Sequence, residues 1–217
     1  MAGQRRLALG DEFWLIAHHD YSGKPLCAWP IMSAGLAGAI LGELLMDRQV
    51  IFSQGRVLLV QGARAPLDEV AALAVAELSR QPVAYPVRDW VTHFAEICYD
   101  PVCRRLAALR LVEQVRGGPF GRRRIVPRDP TIGSSPAVLL NYLVGVLGDR
   151  PSELDYQSAA LAGLTLATGL ESEIISDNPT LVRSGLRAMV QKLPDDMLEL
   201  LGAVQAVVSA VPLRIRR

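Results

Sequence analysis

One segment near the N-terminus constrains the fold more than any other. From Ser33 to Asp47 the chain carries Ala, Gly, Leu or Ile at most positions, so a helix formed there is apolar on nearly every face. All-round apolarity is typical of a helix that is buried by its neighbours. Because serine is a favoured N-terminal capping residue, we predict a buried core helix that begins at Ser33 and ends near Asp47.

Two uncharged runs approach the length of a membrane-spanning helix. Pro25–Gly42 holds 18 residues and Pro130–Gly148 holds 19, whereas a span needs about 20 mostly apolar residues. Prolines and glycines interrupt both runs. We therefore expect buried helices in both places, no signal peptide, and membrane contact that is peripheral.

Length and composition favour one domain. The chain has 217 residues, half of them apolar, and a net charge of +1, which is enough to bury a large core. We predict a flexible N-terminal segment over residues 1–9, one domain over residues 10–212, and a short basic tail over residues 213–217.

Two pairs of β-rich runs interrupt an otherwise helical pattern. Gln49–Phe52 and Arg56–Val60 flank a glycine-containing turn, as do Val112–Arg116 and Arg122–Val126, and this spacing is typical of hairpins. Pro66 is predicted to open a helix, since proline suits a first turn. The predicted fold class is mainly α: a single globular helical domain with peripheral β-hairpins.

Motifs of catalysis, metal binding and cofactor binding do not stand out. No phosphate-binding glycine loop, His-Glu-x-x-His or nucleophile elbow occurs in the sequence. The three cysteines lack zinc-ligand spacing and fit a reducing cytosol as buried small residues. We expect a non-catalytic protein with no cofactor and no metal ion.

Positive charge is concentrated in one stretch. Residues 104–128 hold eight arginines and one acid, Glu113, whereas residues 149–199 hold nine acids and four bases. The arginines could pair with the acidic helices, or they could form a surface that faces anions. Near an anionic leaflet each exposed cation contributes about 1 kcal/mol. The second hairpin also places Phe120 near Arg122 at its tip, which suits a membrane interface.

A succession of short motifs resembles the Golgi phosphoprotein 3-like family. Gly35–Leu44 is similar to that family's Gly-Leu-x-Gly-x-x-Leu-x-Glu-Leu helix, and a hairpin follows it. Pro66–Leu73, Asp89–Val91 and Arg105–Glu113 are similar to later family motifs, in the same order, and Ser158–Leu170 is similar to a helix near the end. The resemblance spans roughly residues 10 to 210.

The resemblance implies a mainly helical domain that reads phosphoinositides. The family's eukaryotic members bind phosphatidylinositol 4-phosphate and the tails of Golgi glycosyltransferases. Their lipid pocket uses a Trp before the Gly-Leu helix, an Arg within that helix, and two Arg at the start of the helix before the second hairpin. In this chain Trp29 matches the Trp, Ala37 replaces the first Arg, and Asp100 and Cys103 stand at the other two positions.

We therefore predict a non-catalytic adapter that docks peripherally on the cytoplasmic face of a membrane. Its expected ligands are phosphatidylinositol 4-phosphate-like or other anionic head groups, and cytosolic tails of membrane proteins and a second copy of the chain are further candidate partners. The predicted lipid-binding residues are Trp29, Arg104, Arg105, Arg122 and Arg123.

Two other functions fit the sequence. Residues 86–126 could form a winged helix that binds nucleic acid, with the arginine-rich hairpin as its wing, although its second helix offers few base-reading side chains other than Arg104, Arg105 and Arg110. The chain could also be an oligomeric interaction scaffold whose second hairpin is exchanged between subunits.

Overall fold

The computed structural model describes residues 6–66, 68–116, 123–146, 154–174 and 179–212, and of Arg123 only the backbone. Most of these residues are helical, and two antiparallel two-stranded sheets accompany the helices. This confirms the predicted mainly α single domain with two hairpins. The helices are α1 (Leu9–Ile16), α2 (Trp29–Met46), α3 (Glu69–Ser79), α4 (Val87–Ile97), α5 (Tyr99–Ala108), α6 (Pro130–Val146), α7 (Tyr156–Thr168), α8 (Pro179–Val190) and α9 (Asp195–Ala210); the strands are β1 (Val50–Ser53), β2 (Arg56–Leu59), β3 (Val112–Arg116) and β4 (Arg123–Pro127).

Helix α2 is the core helix that the apolar pattern predicts. It packs against α1, α4, α7 and α9, and its residues from Ile31 to Leu44 are buried. Glycines allow this close packing. A Cβ atom at Gly35 would lie 2.2 Å from Phe13 Cζ, and one at Gly38 would lie 2.4 Å from Val204 Cγ2. The missing side chains are therefore what lets α1 and α9 approach the central helix.

Among the described helices, α2 is also the one long and apolar enough to cross a membrane, with a mean hydropathy of 1.4 over 18 residues. However, 78% of that stretch is buried inside the fold. Here the apolar surface of α2 is covered by the other helices of the same chain.

The predicted start of α2 is wrong by four residues. The helix begins at Trp29, with Ala28 before it and Pro30 in its first turn. Proline at this position has a fixed φ suited to a helix and lacks only an N–H that the first turn cannot use. Pro30 therefore allows the helix to begin before Ser33, and places Trp29 at its first position.

The predicted start of α3 is also wrong. Pro66 precedes the helix, which begins at Glu69 after Asp68. The Asp68 carboxylate accepts hydrogen bonds from the backbone N–H groups of Val70 and Ala71, at 2.8 and 3.0 Å. A carboxylate that satisfies two free N–H groups defines the helix start.

Both predicted hairpins are present. In the first, Ile51 lies opposite Leu58, and Gln54 and Gly55 have the positive φ angles of a tight turn. In the second, β3 pairs with β4 over five residues on each strand. The predicted tip residues Phe120 and Arg122 lie outside the described residues.

The chain ends are described in part. Residues 1–5 of the predicted flexible segment and the basic tail 213–217 lie outside the described residues. Within the N-terminal segment, Arg6 donates to Glu12 at 2.9 Å and to the Ser158 hydroxyl at 2.9 Å. Arg6 thus connects the start of the domain to α7.

Candidate functional site

Two aromatic side chains mark the place where the N-termini of α2 and α5 meet at the surface. Trp29, the first residue of α2, is 52% exposed. Its ring packs on that of Tyr99, the first residue of α5, with centroids 4.6 Å apart and planes tilted by 59°. Rings with one apolar and one polar side are typical of protein and membrane interfaces. Tyr99 thus supports the indole of Trp29, which stays half exposed to solvent.

A buried histidine supports this pair from below. His18 Nδ1 lies 2.7 Å from the Trp14 carbonyl oxygen, and Nε2 lies 3.3 Å from the Tyr99 hydroxyl. Since a carbonyl only accepts, Nδ1 carries the proton, and Nε2 accepts from Tyr99. Burial lowers the pKa of His18 to about 4, so the ring is neutral. Tyr99 is therefore held in one orientation by an uncharged partner.

Arg105 lies in the interior, at the junction of four helices. Its Nε donates to Asp11 at 2.9 Å, Nη2 donates to Glu43 at 2.9 Å, and Nη1 donates to Glu43 and Asp68 at 3.0 Å each. The Arg105 side chain is 9% exposed, and those of Asp11 and Glu43 are 1% and 9% exposed. We call these four residues the Arg105 cluster. It joins α1, α2 and α5 to the cap of α3.

The charges of the Arg105 cluster are coupled. Burial raises the pKa values of Asp11 and Glu43, and Arg105 only partly opposes this. Burial alone would lower the pKa of the Arg105 guanidinium, but Glu43, Asp11 and Asp68 raise it above its ordinary value. Three carboxylates thus surround one cation.

A half-open cleft of about 390 Å³ lies beside the Arg105 cluster. Acidic side chains outnumber basic ones in its lining, so the cleft repels rather than attracts a phosphate. The charged lining residues are Arg6, Asp11, Glu43, Asp47, Asp68 and Arg105.

Arg104 lies on a different side of α5 from the aromatic pair. At about 100° per residue, it is about 140° around the helix from Tyr99. It is exposed and forms an ion pair with Glu69 at 3.2 Å. The structure therefore does not bring Trp29 together with Arg104 or with Arg105. Whether any of the three binds a head group stays a prediction.

The second hairpin supplies exposed cations. Arg116 and Arg124 are exposed, and Arg128 lies 3.9 Å from Glu113. Arg123 is the first residue of β4, opposite Arg116, but its side chain and all of Arg122 lie outside the described residues. Among the described ion pairs, the partners of residues 104–128 are Asp11, Glu43, Asp68, Glu69 and Glu113. One hypothesis paired the arginines with the acidic helices of residues 149–199. All five of these carboxylates lie before that stretch in the sequence.

The positions matched to the family's pocket arginines carry no cation. Ala37 is fully buried in the core. Asp100 is an exposed carboxylate, and burial raises the pKa of the Cys103 thiol to about 12, so that the thiol is neutral. Any phosphate bound near Trp29 must therefore be held by cations at other positions of the chain.

Comparison with known protein families shows to which family the chain belongs. The sequence profile of Golgi phosphoprotein 3 (GPP34) matches residues 9–211. The chain belongs to this family. No curated protein matched the chain in the corresponding search. In this Golgi phosphoprotein 3 family member the matched stretch includes every helix and strand of the described residues, so the family assignment covers the whole fold.

Sequence reasoning missed two parts of this region. Tyr99, the partner of Trp29, was not singled out, although an aromatic residue just before Asp100-Pro101 lies where α5 begins. The partners of Arg105 were also missed. Glu43 gave a signal, because it is the only charged residue in α2 and a buried carboxylate needs a cation.

Proposed function

We propose that this protein is a non-catalytic peripheral membrane protein that docks on the cytoplasmic face of a membrane through Trp29. The observation that carries the proposal is the half-exposed indole of Trp29, held on Tyr99 at the surface. Fully burying a large apolar side chain gains about 1.5–3 kcal/mol, so about half of that is left for Trp29 to gain at a membrane interface.

The exposed arginines of the second hairpin support an anionic partner. Arg116 and Arg124 are available at the surface, and guanidinium groups bind phosphate with two parallel hydrogen bonds. Family membership adds to this proposal, since the chain retains the tryptophan of the resemblance. We propose anionic phospholipid head groups as the ligand, and phosphatidylinositol 4-phosphate as the specific one.

Vesicle flotation tests the proposal. We expect recovery with phosphatidylcholine vesicles to be low, to rise when phosphatidylserine is added, and to rise further when phosphatidylinositol 4-phosphate supplies the same total charge. Recovery should fall with salt, because exposed charges are screened over about 10 Å at 0.1 M ionic strength. Equal recovery with neutral and anionic vesicles contradicts membrane docking by charge. Equal recovery with the two anionic lipids leaves docking intact and removes the phosphoinositide preference.

Trp29→Ala should lower the partition coefficient about three- to tenfold, because burying the exposed half of the ring is worth about 0.8–1.5 kcal/mol. Tyr156→Ala is the matched control, because Tyr156 is a partly exposed aromatic at the start of α7, near Asp196. Intrinsic fluorescence gives a second measurement. Trp14 and Trp90 are buried, so a blue shift on adding vesicles reports Trp29. Trp29→Ala binding like wild type would remove Trp29 from the interface.

The nucleic-acid alternative receives less support. The order α4, α5, β3, β4 is that of a winged helix, but Arg105 on its second helix is bound to three carboxylates. A gel shift on DNA at near-physiological salt, abolished by Arg116→Ala, would favour this alternative over membrane docking.

A further inference from the structure

A closed loop after α1 presents an aromatic ring to solvent. The loop spans residues 18–25 and is tied by the His18–Pro25 bridge and by 2.9 Å backbone hydrogen bonds from His19 to Lys24 and from Gly23 to His19. His19 Nδ1 also accepts a hydrogen bond from the backbone N–H of Tyr21 at 3.2 Å. These contacts fix the loop backbone. They leave the Tyr21 side chain 75% exposed.

One end of this loop rests on the second hairpin. Gly23 has a φ of +59°, and a Cβ atom there would lie 1.9 Å from the Ile125 carbonyl oxygen. The loop backbone therefore touches β4 directly, next to Arg124. Only glycine allows both this φ and this approach.

The other end of the loop reaches the aromatic pair. His18, at the base of the loop, lies 3.3 Å from the Tyr99 hydroxyl, and Tyr99 packs on Trp29. Lys24 also stands only five positions before Trp29 in the chain, so the loop that carries Tyr21 and Lys24 lies next to both β4 and the aromatic pair. The second hairpin, the loop and the aromatic pair are therefore neighbours, although the His18 contact itself is buried.

Exposed cations and carboxylates both surround this loop. Lys24 is exposed and Arg124 is exposed. Among the acids nearby, Asp20 turns towards α6, where its Oδ1 would lie 2.7 Å from a Cβ atom at Gly133. Asp100 at the start of α5, Glu113 on β3 and Asp129 just before α6 are further carboxylates on neighbouring elements.

We propose that Tyr21 and Lys24 form a second membrane contact, with the phenol ring at head-group level and the ammonium group on lipid phosphate. This inference rests on the proposed function and adds a specific element to it. Tyrosine is enriched at membrane–water interfaces because its ring is apolar and its hydroxyl is polar. A loop that is already fixed loses little conformational entropy on binding.

Two substitutions test the contact by flotation with phosphatidylcholine–phosphatidylserine vesicles. Tyr21→Ala should lower the partition coefficient about five- to tenfold, and Lys24→Gln about fivefold, the factor expected for one cation near an anionic leaflet. Tyr21→Trp should keep binding, and its emission should be quenched by lipids brominated on the acyl chains. Since both side chains are exposed, thermal unfolding of the variants should match that of wild type. Tyr156→Ala again serves as the control.

The outcomes separate the two proposals. If the wild-type protein binds to none of the vesicles, the proposed function is overturned, and the second contact with it. Wild type that binds, together with Tyr21→Ala and Lys24→Gln that bind equally well, overturns the second contact alone. Tyr21→Ala could also lose binding to soluble inositol bisphosphate by as large a factor as it loses binding to vesicles. That result would show a phosphate site rather than a membrane anchor, and would also overturn the second contact.

Discussion

Replacing Arg105 with methionine should destabilise the protein strongly, although the sequence predicts Arg105 to be a surface ligand. The substitution keeps most of the side-chain volume and removes four hydrogen bonds to Asp11, Glu43 and Asp68. The carboxylates of Asp11 and Glu43 are then buried without a cation. Breaking a buried ion pair by removing one partner costs about 3–5 kcal/mol. Asp68 adds little, because its side chain is 34% exposed.

The loss should depend on pH in a defined direction. A stranded carboxylate can instead take up a proton, which costs about 1.4 kcal/mol for each pH unit above its ordinary pKa near 4. Protonation therefore limits the penalty per carboxylate to about 5 kcal/mol at pH 7.5 and about 1.4 kcal/mol at pH 5. The pKa values of Asp11 and Glu43 are raised in the folded state. Protonation of these two carboxylates therefore stabilises the folded state fully below about pH 4, and this stabilisation is lost as the pH rises through the folded pKa values.

Urea unfolding at pH 7.5 and pH 5 measures both effects. With a slope of about 2–3 kcal/mol per molar urea, the midpoint at pH 7.5 should fall by about 1–2 M, and by clearly less at pH 5. Arg104→Met is the control on the same helix, and its exposed pair with Glu69 should change stability by less than about 0.5 kcal/mol. Should Arg105→Met not fold, Arg105→Lys keeps the charge and should show a smaller loss with the same pH trend. A loss below 1 kcal/mol, or one equal at both pH values, refutes the reasoning.

Three further outcomes are expected. Asp68→Ala should lose about 1–2 kcal/mol through the cap of α3, whereas Asp68→Asn, which still caps, should lose less than half of that in urea unfolding. Gly35→Ala should cost about 1–3 kcal/mol, since its Cβ would lie 2.2 Å from Phe13, while Gly202→Ala on α9, with no atom within 4 Å of its Cβ, should be neutral or stabilising by about 0.5–1 kcal/mol; equal losses would contradict the packing of α2. The His18 imidazole should titrate near pH 4 by NMR because burial lowers its pKa, and a midpoint above pH 6 would show that the ring is not enclosed.

Local patterns predicted the elements of this fold well. The all-round apolar run gave α2 as the core helix, and the two glycine-containing turns gave the hairpins, because each depends on residues close in sequence. The starts of α2 and α3 were misplaced. In both cases a competing residue decides the boundary: Pro30 admits an earlier turn in α2, and the Asp68 carboxylate starts α3 after Pro66.

The candidate site was harder to predict. Trp29 was identified, and it is exposed. Arg105 stands in a run of arginines that suggested a surface, yet its partners Asp11, Glu43 and Asp68 lie 94, 62 and 37 positions away. Which arginine turns inward depends on how α5 rotates against α1 and α2, and local spacing does not contain that information.

The position of Trp29 at the first residue of the core helix has a mechanical consequence. An α-helix rises about 1.5 Å per residue, so the 18 residues of α2 form a rod about 27 Å long. A partner that binds the indole is therefore attached to the central helix of the fold and not to a loop. The β1–β2 hairpin, with its outward pair of Ile51 and Leu58, follows the far end of this helix, so its distance from the indole is set by the length of α2.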